Sequence, residues 1–321
     1  MSRKLITIST IMTLMSTSVI ADVPNVAADI APIHSLVSRV MDGVGAPKLI
    51  VQSGASPHGY RLRPSEAKAL QDADHVFWMG EELTPWLDSA IGTLASKASV
   101  TTLLDQQGVI LHDFREGALF EAHDHSAHGD DDHDDHDDHD DDKDHDDHDD
   151  HGSHDPHAWL SPENAKLWLN IIASKLSVSD PENAATYFMN AAAGQAEIEA
   201  MIAEVSATLK PVQGGKFVVF HDAYQYFEND FDFYASGAIS LGDSSDPSPA
   251  RIEKVQKRIR DEGIQCVLAE PQFKKGLVAT VMEGSDATAS VIDPLGAELE
   301  TGPKLYTRLI KNMAKTLRNC L

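Results

Sequence analysis

Apolar and polar positions along this 321-residue chain switch repeatedly between two periods. Short apolar runs of strand length alternate with stretches whose apolar residues recur at helical spacing. In the N-terminal part, Asn25–Ala28, Lys48–Gln52 and His75–Met79 read as strands, and Pro32–Met41, Ser65–Gln71 and Thr84–Thr93 as helices. This β-α-β-α order predicts a parallel sheet covered by helices on both faces. A further helix is expected from Pro162 to about Leu176, with Ser161 as N-cap and Glu163 in the first turn. Its Ala165, Trp168, Ile171 and Ile172 fall on one face. Pro181 opens a longer, alanine-rich helical stretch that ends near Lys210-Pro211. The alternation then resumes. Lys216–Phe220, Asp232–Tyr234, Ile264–Ala269 and Ala289–Ile292 read as strands, and Pro249–Glu262, Lys275–Glu283 and Gly302–Asn319 as helices. The predicted fold class is α/β: two parallel-sheet domains, residues 22–180 and 211–321, joined by a long rigid helix over 181–210. The alternative for that helix is packing wholly inside one half.

Two segments break the pattern. Residues 1–21 carry Arg3 and Lys4, then the apolar stretch Leu5–Ile20, then Val19-Ile20-Ala21 at a cleavage position. This is the plan of a cleavable signal peptide, with the mature chain starting at Asp22; the alternative is an uncleaved anchor. No cysteine sits near the cleavage point, which argues against a lipid anchor. The second segment, 123–154, is a run of alternating histidine and aspartate. It holds His123, His125, His128, His133, His136, His139, His145, His148, His151 and His154, ten of the chain's 16 histidines. Its carboxylates repel one another and it has no apolar face to bury, so it is expected to stay disordered without metal. Its imidazoles and carboxylates are ligands for borderline divalent ions such as zinc.

The formal net charge of -25 sits largely in that run, and it makes the chain a poor binder of nucleic acid and of anionic membranes, neither of which is expected as a partner. The two cysteines, Cys266 and Cys320, lack a metal-binding spacing. In an exported chain a pair of cysteines is expected to form a disulfide, the alternative being two free thiols.

Outside the run six histidines remain: His34, His58, His75, His112, His157 and His221. His58 follows the strand Lys48–Gln52, His221 directly follows Lys216–Phe220, and His157 precedes the helix capped by Ser161. Ligands of open α/β sheets gather outside the carboxyl ends of strands. Three imidazoles there suit zinc, whereas manganese prefers more oxygen donors. Asp293 lies at another strand end and is the candidate fourth donor, with water as the alternative. His34, His75 and His112 are assigned to packing or surface. Glu270 is a candidate to orient a ligand histidine, or to form a salt bridge.

The motifs PHGYRLRPSEAKAL, HDPHAWLSPENAK, FVVFHDAYQYF, VLAEPQF and VIDPLG together resemble the metal-binding proteins of ABC importers, cluster A-I, of the zinc-specific ZnuA type. The resemblance spans nearly the whole mature chain. It implies a metal site in the cleft between two α/β domains, with His58, His157 and His221 matching the family's three histidine ligands. Manganese-type members carry a glutamate at the position of His221, so zinc is the implied ion. Asp293 matches the carboxylate that completes the site in several relatives. Pro57 stands where some zinc members carry a glutamate ligand, and proline cannot serve. A histidine- and aspartate-rich loop and a cysteine pair at these places are typical of the type.

The expected function is therefore capture of Zn²⁺ in the periplasm and delivery to an inner-membrane ABC permease with its cytoplasmic ATPase. The chain is expected to be a monomer without catalytic activity, and the run an accessory low-affinity collector or sensor. The alternatives are an exported metal buffer and a zinc-dependent hydrolase; no HExxH motif supports the latter.

Overall fold

The structure, a computed structural model, describes residues 23–115, 120, 154–240, 247–272 and 275–321. The expected signal peptide and the run's histidines His123 to His151 lie outside the described residues.

The described chain builds two four-stranded parallel sheets. The first uses β1 (Val26–Ala28), β2 (Lys48–Leu49), β3 (His75–Trp78) and β4 (Ser99–Thr102), in the order β2-β1-β3-β4. The second uses β5 (Phe217–His221), β6 (Ala238–Ser240), β7 (Cys266–Ala269) and β8 (Thr288–Val291), in the order β6-β5-β7-β8. The two orders are the same. The inner strands β1, β3 and β5 are buried at every position, as sheets covered on both faces require. The outer strand β4 is half polar: Ser99 and Val100 are exposed and Thr101 is buried. It carries no continuous apolar run, which is why it escaped the sequence pattern.

Helices α1 (Ala31–Val40), α2 (Pro64–Gln71) and α3 (Pro85–Leu94) accompany the first sheet. Helices α4 (Pro162–Ser179) and α5 (Ala184–Leu209) follow it, and α6 (Gln225–Phe231), α7 (Pro249–Glu262), α8 (Lys275–Met282) and α9 (Leu305–Cys320) accompany the second. The strand predicted at Asp232–Tyr234 is not one. Asp232 takes the left-handed conformation (φ 50°) that terminates α6, and the strand begins later, at Ala238. Within the predicted stretch Phe233 is buried, but in a loop and not in a strand.

The predicted long helix is present as the 26 residues of α5, flanked by 3₁₀ turns at Pro181–Asn183 and Lys210–Val212. It packs on α4 and α1 from one side of the sequence and on α9 from the other. A Cβ at Gly194 would stand 2.9 Å from the Leu169 side chain, so glycine lets α5 approach α4 closely. One apolar cluster runs from Val26 and Trp168 through Ile198 and Met201 to Tyr306 and Leu317, spanning both halves. The outer faces of the two sheets hold smaller separate clusters around Val76 and Val267. A shared core of this kind resists hinge motion between the sheets. Cys266 in β7 and Cys320 at the end of α9 form a disulfide that closes a separation of 54 residues.

Candidate metal centre

In each sheet the strand order reverses between the two inner strands, and open α/β sheets bind ligands in the crevice outside that point. In the second sheet the crevice is flanked by His221, the last residue of β5, and Glu270, which directly follows β7. His221 Nδ1 lies 2.6 Å from Glu270 Oε1, and Gln272 Nε2 donates to Glu270 Oε2 at 2.7 Å. Register fixes this geometry: His221 pairs with Ser240 of β6, and Val219 with Leu268 of β7.

His157 arrives from the first half. It precedes a 3₁₀ turn, Ala158–Leu160, and then α4, whose N-cap Ser161 accepts from the Asn164 N–H. Asp155 Oδ1 accepts from the backbone N–H of His157 at 3.0 Å and holds its Nδ1 at 2.6 Å. Both residues are buried. A carboxylate accepts, so each imidazole donates its Nδ1–H and presents a bare Nε2. The two Nε2 atoms lie 3.3 Å apart. Two nitrogens on a tetrahedral zinc, each about 2.0–2.1 Å from the ion, stand about 3.3 Å from each other. The gap is thus the one that a zinc ion spans.

His58 completes the cluster from the loop after β2. Trp86 Nε1–H donates to the Pro57 carbonyl at 2.7 Å and fixes that loop against α3. One donor atom from each of His58, His157 and His221 falls within 4.8 Å of the other two. His58 is half-buried while the other two are buried, so the cluster meets solvent on the His58 side. Around them, Trp159 packs on His157 and ties its loop to the Asp293 loop, through Nε1–H to the Pro294 carbonyl at 2.8 Å. Tyr306 Oη–H braces the same turn from α9, donating to the Trp159 carbonyl at 3.0 Å. Tyr224 lies beside His221; full burial, with the Glu270 and Asp293 carboxylates near, pushes its phenol well up.

Asp293 is not one of the mutually close donors. Its Oδ1 accepts from the backbone N–H groups of Leu295 (3.0 Å) and Gly296 (2.8 Å), and its Oδ2 from Ala297 (2.5 Å). The Asp-Pro-Leu-Gly turn closes on its own carboxylate. The remaining described histidines serve elsewhere. His34 Nε2 meets the Pro47 carbonyl at 3.1 Å, His75 Nε2 meets Ser179 Oγ at 2.6 Å, and His112 packs on Tyr226. His154, at the end of the run, pairs with Asp113 at 2.9 Å. Sequence reasoning missed Asp155; its signal was the Asp-Pro-His spacing, which places a carboxylate two residues before the ligand.

Two parallel-sheet halves on a shared helix, with imidazoles converging from both, define a metal-carrying solute-binding protein. The chain belongs to the ZnuA family, the periplasmic component A of zinc-uptake complexes, whose profile matches residues 26–320. It is 48% identical to the high-affinity zinc uptake system protein ZnuA of Brucella abortus, covering 92% of this chain and 91% of that one. It is 43% identical to the protein of the same name from Paracoccus denitrificans, over 94% and 93% of the two chains. A solved structure described as the crystal structure of ZnuA shares the fold, with TM-score 0.72 and 21% identity over 93% of this chain and 99% of that one.

Proposed function

We propose that the chain captures one Zn²⁺ between its two halves and hands it to an ABC permease driven by a cytoplasmic ATPase. His58, His157 and His221 hold the ion as neutral imidazoles. The single observation that carries this reading is the pair of bare Nε2 atoms 3.3 Å apart, each oriented by its own buried carboxylate. Asp293 is the fourth ligand: its Oδ2 accepts a single backbone bond and keeps lone-pair capacity for the ion, and its loop closes on the ion when zinc binds. Residues 22–180 and 211–321 act as two domains, with 181–210 as a strut that keeps their spacing nearly fixed. Capture therefore proceeds by ordering the ligand loops rather than by wide hinge closure. Residues 1–21 direct export to the periplasm and are cleaved, and the mature chain works as a monomer. The run from His123 to His154 serves as a weak, multivalent zinc collector or sensor.

A hydrolase needs an open coordination position and a free general base. The two carboxylates that touch the cluster, Asp155 and Glu270, already accept from imidazole N–H groups. A metal buffer would place its tight binding in the run. Competitive zinc titration of the mature chain, with and without residues 123–153, tests this. The expected result is a submicromolar site that survives the deletion and disappears in His58→Ala and His221→Ala. Loss of the tight site on deletion overturns the transport reading, and a tight site that survives His221→Ala overturns the ligand assignment.

A further inference from the structure

Arg115 lies on the connection between β4 and α4, where residues 110–115 run beside 154–157. Asp155 N–H donates to the His112 carbonyl at 2.8 Å, Asp113 and His154 form an antiparallel bridge, and Asn164 holds both the N–H and the carbonyl of Ile110. Arg115 stands two residues beyond this pairing with the segment that carries Asp155 and His157. Its side chain reaches the other half of the molecule. Nε–H donates to both oxygens of Asp222 (3.0 and 3.1 Å), and Nη2 also contacts Asp222. Nη1 and Nη2 donate to Glu228 of α6 at 2.6 and 3.2 Å. Asp222 is the residue after His221. The cluster is largely withdrawn from water, with side-chain exposures of 16% for Arg115, 7% for Asp222 and 1% for Glu228. Phe120 covers the guanidinium, its ring centre 3.6 Å from Cζ.

A planar guanidinium that engages two carboxylates fixes orientation as well as distance, which a point charge does not. Zinc sites accept ligand distances only within a narrow margin, so a preset gap between ligands has value for affinity. We propose that Arg115 is a positioning residue of the metal centre: it clamps the segment carrying His157 to the strand end carrying His221 and so sets the gap between their Nε2 atoms. This rests on the reading that these histidines hold the ion. The competing explanation is that Arg115 only neutralises two buried carboxylates.

Arg115→Lys keeps the charge and removes the fork. It is expected to weaken zinc binding about tenfold, in the range seen when partners behind metal ligands are lost, and to shift the visible absorption of the Co²⁺-loaded protein. Arg115→Met combined with Asp222→Asn and Glu228→Gln removes all three charges, so no unpaired charge remains buried. A charge-balancing role predicts that this triple variant recovers wild-type zinc affinity and Co²⁺ spectrum; positioning predicts that both stay altered. Wild-type behaviour of either variant in both measurements overturns the proposal. A zinc-bound structure of the wild-type protein serves where neither variant folds: Arg115 must remain on both Asp222 and Glu228, and an Arg115 turned away from them overturns it. A wild-type chain with no tight zinc site defeats the functional reading itself. A tight site indifferent to Arg115 defeats only this inference.

Discussion

The two sheets have the same strand order and the same crevice at the point where that order reverses, yet they fill it differently. In the first, Asp29 follows β1 and is fully buried; its Oδ1 accepts from the Ile30 N–H and its Oδ2 from the Met79 N–H, both at 2.7 Å. The crevice is closed by its own backbone. In the second, His221 and Glu270 occupy the corresponding place, and the imidazole turns its Nε2 toward His157. Topology supplies the location in both halves; side-chain chemistry decides whether it becomes a knot or a ligand. The first half contributes His58 and His157 from loops instead, and loops need bracing. His58 has the Trp86 bond behind it, and His157 has Asp155, Trp159 and Tyr306. His221 is placed by strand register and held by the Glu270 carboxylate.

This comparison is open to test, ranked by expected effect on zinc affinity. Removing a ligand, His221→Ala or His157→Ala, is expected to cost more than the roughly 100-fold that loss of an outer partner can cost. Chelator competition reads it, and a loss below tenfold in either variant breaks the ligand set. Next comes the difference between loop and strand. Asp155→Asn replaces the charged acceptor shared by the His157 ring and the His157 backbone N–H with a neutral amide, so its loss is expected near the upper end of about 10–100-fold. Glu270→Gln acts on a ring already held by register, so its loss is expected near the lower end of the same range of about 10–100-fold. The reverse ranking contradicts the idea that loop ligands depend more on bracing.

How much of this was legible beforehand follows the same division. The inner strands announced themselves as continuous apolar runs, and helix α4 by its Ser161 cap followed by proline. Strand β4 did not, because at the sheet edge it carries Ser99, Thr101 and Thr102 around a single apolar residue, Val100. The three histidines stood out by their places after strands and before a capped helix. Of their partners, Glu270 was read as a candidate to orient a ligand histidine or to form a salt bridge, whereas Asp155 was missed although it stands only two residues before His157. Asp293 was read from its position at a strand end. Its hold on the N–H groups of residues 295–297 is a local turn preference that competes with ligation and was not weighed.

Two further changes are expected to leave zinc affinity unchanged. Cys320→Ser opens the loop closed by the disulfide and is expected to cost about 4 kcal/mol of stability by loop-closure entropy, read by urea unfolding. A parallel loss of zinc affinity contradicts the separation of this staple from the site. Asp29→Asn tests the closed crevice of the first sheet. Burial pushes the Asp29 carboxyl up to about 7. The folded protein therefore binds that proton more tightly than the unfolded chain, and the contribution of Asp29 to stability falls as pH rises from about 4 to about 7. The stability difference between wild type and Asp29→Asn, in metal-free protein, is expected to drift in that sense across this window. A pH-independent difference breaks the account of that crevice.

The central claim is that zinc sits on His58, His157 and His221. X-ray absorption at the zinc edge, on the mature chain lacking residues 123–153 and loaded with one equivalent of zinc, tests it most directly. The account predicts three imidazole nitrogens at about 2.0–2.1 Å and one oxygen donor. A shell with fewer than three imidazoles contradicts it.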